Sequence, residues 1–401
     1  MHPKLIQFLS ASKNPLAQLR ANRYGLVNMG FAKSCLELYY RVGDPHSHLC
    51  AQLIPALKQL LKCDIAIRLV DSGDESLNPE QTLQAQFALQ DAKRIAPAWG
   101  LHIAEHWEIP ATEQVRRGES ILACCTSTEQ FLAEEASLAA RLFDPAGNDL
   151  VASNKNEQAA SQRVIQANNQ RQAALGHYGS AMWQFGGEWF WALDRMEYLK
   201  SALERRGQFQ KSRGFEDSLV FNKDKANVPS IKNKKLTVFL SFRSPYSYIV
   251  AQRLSELTHA HKIDFEIKPV LPMAMRGVAV PKRKVLYILR DVRRVADEAG
   301  IPFGYAADPL GEAANRCLKV FSLLDQAEEQ LEFIRKAGEL CWTKGVDLST
   351  DTGLQQLCAE MNIEWLKAEQ ACKQSNDIGL AYAEENRKAL FTTGLWGVPS
   401  F

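Results

Sequence analysis

The sequence predicts an α/β fold built twice, each copy a mixed sheet with helices on its faces and a helical insertion. Three observations predict it. A strand, tight turn and helix at Leu236–Leu257 recur 200 residues earlier, at Leu36–Leu57. Both copies continue into a second short strand and then a long helical stretch, roughly 112–173 and 311–390. The first copy closes with two short strands around a Gly-Gly turn and a final helix.

In the second copy, Leu236-Thr-Val-Phe-Leu240 is a short apolar strand. Ser244 then stands at a helix cap, and Pro245 takes the first helical position, where a missing N–H is no loss. Ile249, Val250, Leu254 and Leu257 follow at helical spacing. One hydroxyl therefore lies on a helix N-terminus, whose unpaired N–H groups and positive dipole end suit an anion. A Ser-Pro at a helix start is also an ordinary cap. Three further features favour a site: the second copy, a Gly-Val-Pro at 397–399, and a Lys-x-x-Tyr helix start at Lys284.

The first copy aligns stretch by stretch. Asp44-Pro-His-Ser47 falls on Ser244-Pro-Tyr-Ser247, Asp64–Val70 on Asp264–Val270, and Leu89–Gly100 on Leu289–Gly300. Repetition on this scale is a domain duplication, since a solenoid repeats every 20–50 residues or so. Gly176–Trp183 corresponds to Gly394–Phe401. The first copy goes on through Gln184-Phe-Gly-Gly-Glu-Trp-Phe-Trp191 to a helix over Asp194–Leu203, with Asp194 in its first turn. The order is β-α-β, helical insert, β-β-α. A β-α-β crossover makes the first two strands parallel and the hairpin adds antiparallel ones, a thioredoxin-like arrangement. The expected division is a lead-in over 1–35, a first domain over 36–203, a basic linker over 204–235 and a second domain over 236–401. The second copy lacks the final hairpin and helix. The expectation is a shortened sequence, with a missing part that either follows Phe401 or comes from elsewhere.

Composition narrows the class. With 48 Lys and Arg against 46 Asp and Glu, net charge is +2, so a nucleic-acid surface over the whole chain is not indicated. There is no secretory signal pattern and no long apolar run, which gives a cytoplasmic expectation. The nine cysteines show no Cys-x-x-Cys spacing and fall mostly in apolar patterns, as packed free thiols do. No Gly-rich phosphate loop, His-Glu-x-x-His helix or Gly-x-Ser-x-Gly elbow is present.

Four stretches in order carry a resemblance: Thr237–Tyr248, Lys284–Asp291, Gly300–Gly304 and Gly397–Ser400. Together they resemble 2-hydroxychromene-2-carboxylate isomerases and kappa-class glutathione transferases, in the DsbA-like branch of the thioredoxin superfamily. The resemblance covers 236–401 well and 36–203 more faintly. Disulfide oxidoreductases of this fold carry Cys-Pro-x-Cys where this chain has Ser244-Pro-Tyr-Ser247 and Asp44-Pro-His-Ser47. Thiol–disulfide exchange needs a thiolate, so that activity is excluded at these positions.

The resemblance implies glutathione as cosubstrate, with Ser244 beside its sulfur. A free thiol titrates near 8.5, and a hydroxyl donor plus a helix N-terminus favours the thiolate. The thiolate would add to a conjugated bond of an aromatic acid and leave again, or attack an electrophile and stay. Pro399 matches the family's cis-proline, with the Val398 backbone pairing with the cysteinyl part of glutathione. Lys284 falls where the family has a basic residue near the ligand, and Tyr246 covers the substrate or packs. Arg290, Asp291, Arg293 and Arg294 read as a charged helix face.

In the first copy Asp44 replaces the serine and Ala181 the cis-proline. A carboxylate would repel a thiolate, so this domain reads as degenerate and structural. Asp44, His46 and His48 could serve a different ligand, but their pattern alone does not specify a metal site. Asp194-Arg195 resembles a helix start that holds the γ-glutamyl end of glutathione in the family. The expected partners are a small aromatic or electrophilic substrate, with no membrane, and the tandem domains could mimic a homodimer. The alternative is a non-catalytic protein that holds an extended polypeptide by strand pairing beside Pro399. A redox role for one of the other cysteines is the third reading.

Overall fold

The computed structural model describes residues 35–73, 77–147, 154–210, 234–261, 263–374 and 378–401. The lead-in over 1–34 and linker residues 211–233 lie outside these. The described residues fall into two compact units, one within 15–229 and one within 230–401.

In the first unit, β1 (Cys35–Tyr40) leads through α1 (Pro45–Leu60) to β2 (Asp64–Leu69). The two strands are parallel, with Cys35 opposite Asp64 and Tyr40 opposite Leu69. Four helices follow: α2 (Gln81–Ile95), α3 (Thr112–Ala123), α4 (Thr128–Leu142) and α5 (Lys155–Ala174). The chain returns as β3 (Met182–Phe185), antiparallel to β1, and β4 (Glu188–Trp191), antiparallel to β3. The sheet order is β2-β1-β3-β4. Gly186 and Gly187 make the hairpin turn with φ of 59° and 85°. A two-residue hairpin of this kind needs positive φ at both positions, which glycine adopts without strain.

The final helix α6 spans Met196–Arg205 and starts two residues later than expected. Asp194 stands outside it, before the capping Arg195, and its side chain is half exposed. The first unit also runs past the expected boundary at 203, because Phe209 bridges to Leu61.

The second unit repeats the opening. β5 (Leu236–Leu240), α7 (Pro245–His261) and β6 (Phe265–Pro269) form a parallel β-α-β unit with Leu236 opposite Phe265. Then come α8 (Lys282–Ala299), α9 (Glu312–Phe321), α10 (Ala327–Thr343), α11 (Asp351–Glu360), α12 (Trp365–Lys373) and α13 (Ile378–Thr392). The chain then returns to the sheet, where Ser400 bridges antiparallel to Phe239 through N–H···O bonds of 2.9 and 3.1 Å. In the first unit Met182 stands opposite Tyr39 in the same sense. Ala181 and Pro399 therefore precede equivalent sheet positions. Ala181 has a φ of +54°, and the Val398–Pro399 peptide is cis.

Each unit has its own apolar core. Leu36, Leu38, Trp183 and Phe190 centre the first. In the second, Phe242, Phe321 and Phe333 pack edge to face. Among the described residues no helix is long and apolar enough to cross a membrane.

Candidate active site

The turn from β5 to α7 is fixed by four hydrogen bonds. Ser244 N–H donates to Ser241 O at 3.0 Å, and Tyr248 N–H to Ser244 O at 3.2 Å. Ser247 N–H donates to Ser244 Oγ at 3.1 Å, so Ser244 is the cap of α7. Ser247 Oγ in turn accepts from Ser241 N–H at 3.1 Å. The first unit makes the equivalent backbone bonds from Asp44 to Arg41 and from His48 to Asp44, and Ser47 Oγ accepts from Arg41 N–H at 3.1 Å. What differs is the cap itself.

In the second unit the cap opens onto a cavity of about 310 Å³. Ser244, Tyr246, Lys284 and Val398 all line it, together with Pro245 on the helix start. Pro399 follows Val398 through the cis peptide. The apolar wall comes from Leu271, Met273, Val285, Ile288, Trp342 and Trp396. No cysteine lines the cavity among the described residues.

The polar side of the cavity is built from separate elements. Arg243 holds Asp308 in a two-pronged pair, Nε to Oδ1 at 3.1 Å and Nη2 to Oδ2 at 3.2 Å. Such paired geometry fixes both side chains. Lys284 stands in the first turn of α8 and is 8% exposed. Burial pulls its ammonium down to a pKa of about 8, because the charged form loses its hydration. Ser241 Oγ and Trp342 Nε1 are buried without a hydrogen-bond partner among the described residues. Buried polar atoms are nearly always satisfied, so two such atoms on one cavity suit a ligand that brings its own polar groups.

Asp291 departs from the expected charged helix face. It is 1% exposed and accepts from Tyr246 Oη at 2.6 Å and from Arg294 Nη1 at 3.2 Å. Arg294 turns inward with it, its side chain 14% exposed, whereas Arg293 is partly exposed and pairs with Asp297 at 2.6 Å.

The first unit fills the same place with its own charge. The Asp44 carboxylate accepts from His46 N–H at 3.1 Å, Ser47 Oγ at 2.8 Å and Ser180 Oγ at 2.7 Å. Burial alone would raise its pKa, but Arg41, His46 and the two hydroxyls hold it below the usual carboxylate value. His46 Nε2 faces Asp91 at 3.3 Å, while His48 Nδ1 bonds Glu135 at 2.6 Å. Asp44, His46 and His48 thus turn to different partners.

The buried thiols Cys317, Cys341 and Cys358 are all pushed up by burial, away from the reactive thiolate. Nothing in their surroundings favours the redox reading.

Sequence reasoning brought four of these residues to one place. It missed Arg243–Asp308, Trp342 and the burial of Asp291. Arg243 adjoins Ser244 and could have been suspected. Trp342 lies about 100 residues downstream on α10, where no spacing signals it.

Residues 235–401 match the DSBA-like thioredoxin domain family. Solved structures similar to the chain include a 2-hydroxychromene-2-carboxylate isomerase, at 19% identity and a TM-score of 0.35, covering 41% of this chain and 83% of that one. Another is the cytosolic disulfide reductase DsbM from Pseudomonas aeruginosa, at 16% identity and a TM-score of 0.32, covering 41% and 82%. No curated protein matches the chain. The stretch that matches the DSBA-like thioredoxin domain family is thus the one that carries the strand, the capped helix and the cis-proline described above.

Proposed function

We propose that the 230–401 unit binds glutathione in this cavity and uses it as cosubstrate in an isomerase or transferase reaction on a small aromatic or electrophilic compound. One observation carries the reading: Ser244, capping α7, shares a single cavity with Val398, which precedes the cis-proline. A helix N-terminus, a hydroxyl, a lysine and a free backbone edge form a donor set suited to an anionic thiol peptide.

When bound, glutathione supplies a thiol whose ionised form is the nucleophile. The protein's part is to favour that ionised form and hold it in place. Ser244 Oγ accepts from Ser247 N–H, which leaves its own O–H to donate to a sulfur. Each tenfold gain in thiolate corresponds to about 1.4 kcal/mol. The positive end of α7 acts in the same direction. Lys284 adds a cation to a lining that also holds Arg243, Asp308 and Arg276, and Val398 offers backbone for pairing. The aromatic and aliphatic wall from Leu271 to Trp396 suits an apolar second substrate.

We read the first unit as a related copy that has closed its site, with the Asp44 carboxylate where a ligand anion would lie. Nine free cysteines fit a reducing compartment, so we assign the chemistry to the cytoplasm.

The test is calorimetric titration with reduced glutathione, followed by thiolate absorbance in the ultraviolet at neutral pH. Saturable binding with new absorbance supports the reading. Binding of unstructured peptides without glutathione binding would favour the polypeptide-holding alternative.

A further inference from the structure

We propose that Lys284 forms reversible imines with small apolar aldehydes that enter the cavity beside Ser244. This goes beyond the glutathione reading and does not depend on it.

The position of the amine is the first ground. Lys284 is 8% exposed yet lines a cavity of about 310 Å³, large enough for a small aromatic guest. Val280, Val285, Ile288 and Leu289 line the same cavity, whose other charged lining residues are Arg243, Asp308 and Arg276. Apolar surroundings favour the neutral amine, the nucleophilic form, and also favour an apolar guest over water. The helix start is the second ground. Lys284 lies in the first turn of α8, where the positive end of the helix opposes a further positive charge. Both effects act in the same sense, and burial brings the group to about 8. Roughly a tenth of the amine is then neutral at pH 7, against about one part in 2,500 for an ordinary lysine near 10.4.

The chemistry balances without an oxidant or reductant. The Nζ lone pair forms a bond to the aldehyde carbon, and the carbonyl π electrons move to oxygen, which takes a proton. Nζ gives up a proton to complete the carbinolamine. The hydroxyl then takes a second proton and leaves as water while the nitrogen lone pair forms C=N, and loss of the second Nζ proton gives the neutral imine. Water reverses each step and regenerates the free lysine.

The experiment traps the imine in the full chain. Benzaldehyde and sodium cyanoborohydride are added at pH 7.5, and the reductant delivers hydride to the C=N carbon to leave a benzylated amine. The expected result is a first benzyl group mapped by peptide mass spectrometry to Lys284, at least tenfold faster than to any other lysine. Lys284→Arg should lose this fast label while keeping its circular dichroism. Slow labelling spread over many lysines, or the same fast label in Lys284→Arg, overturns the proposal. The site mapping in the unaltered chain decides the matter even where the variant does not fold. The glutathione titration uses neither reagent, so the two readings fail separately.

Discussion

Tyr246 Oη donates a 2.6 Å hydrogen bond to Oδ2 of Asp291, joining the first turn of α7 to the middle of α8. Asp291 also accepts from Arg294, so a buried carboxylate anchors a tyrosine that lines the cavity next to the Ser244 cap. Removing the carboxylate leaves buried polar groups short of a partner. Asp291→Ala should cost about 3 kcal/mol of stability in urea unfolding, and Tyr246→Phe about 1 kcal/mol. A cost for Asp291→Ala no larger than for Tyr246→Phe would show that the carboxylate does not anchor this wall.

Lys284 gives a stability difference with a defined sign. The unfolded chain keeps this proton up to about pH 10.4, whereas the folded lysine keeps it only up to about 8. Between those values the unfolded state binds more protons, so the lysine's cost shrinks as pH rises. Below pH 8 the full cost is present, on the order of 3 kcal/mol. Lys284→Met should therefore stabilise the protein at pH 7 and much less at pH 10. An equal gain at both values would contradict the burial of a charged amine.

Asp44 should behave in the opposite sense. Its folded pKa lies below the usual value, so its contribution is present above the unfolded pKa and is lost as pH falls through the folded one. Asp44→Ala should cost about 3 kcal/mol at pH 7 and far less in strong acid. A pH-independent effect would mean the charge is not what holds the turn.

Gly338 on α10 lets that helix lie close to α7. A Cβ there would fall 2.6 Å from Cδ2 and 3.2 Å from Cβ of Tyr248, whose hydroxyl is tied to Pro302 O at 3.0 Å. Gly338→Ala should cost about 1–3 kcal/mol by overpacking. A neutral or stabilising result in thermal unfolding would show that α10 can shift freely.

Much of this was legible from local pattern. The strand–Ser–Pro–helix unit, its 200-residue echo and the Gly-Gly hairpin are local signals, since caps and turns depend on neighbouring residues. Asp291 was misread because a run of alternating charges looks like a solvated face, and burial depends on what packs against it. Tyr246, 45 residues away, draws one member of that run inward. The helix α6 starts at Met196 with Arg195 at its cap position, two residues on from Asp194, and helix ends are fixed by local pattern only to within a residue or two. Trp342 joined the cavity through the packing of α10, which no spacing encodes.

The central claim is that Ser244 favours a bound thiolate. The most direct measurement is the ultraviolet absorbance of glutathione thiolate at pH 7, titrated onto the full chain and onto Ser244→Ala. The account predicts saturable thiolate absorbance with the native chain. It also predicts at least tenfold less thiolate with Ser244→Ala, a loss of about 1.4 kcal/mol or more. Equal absorbance from the two proteins, or none with the native chain at saturating glutathione, would contradict it.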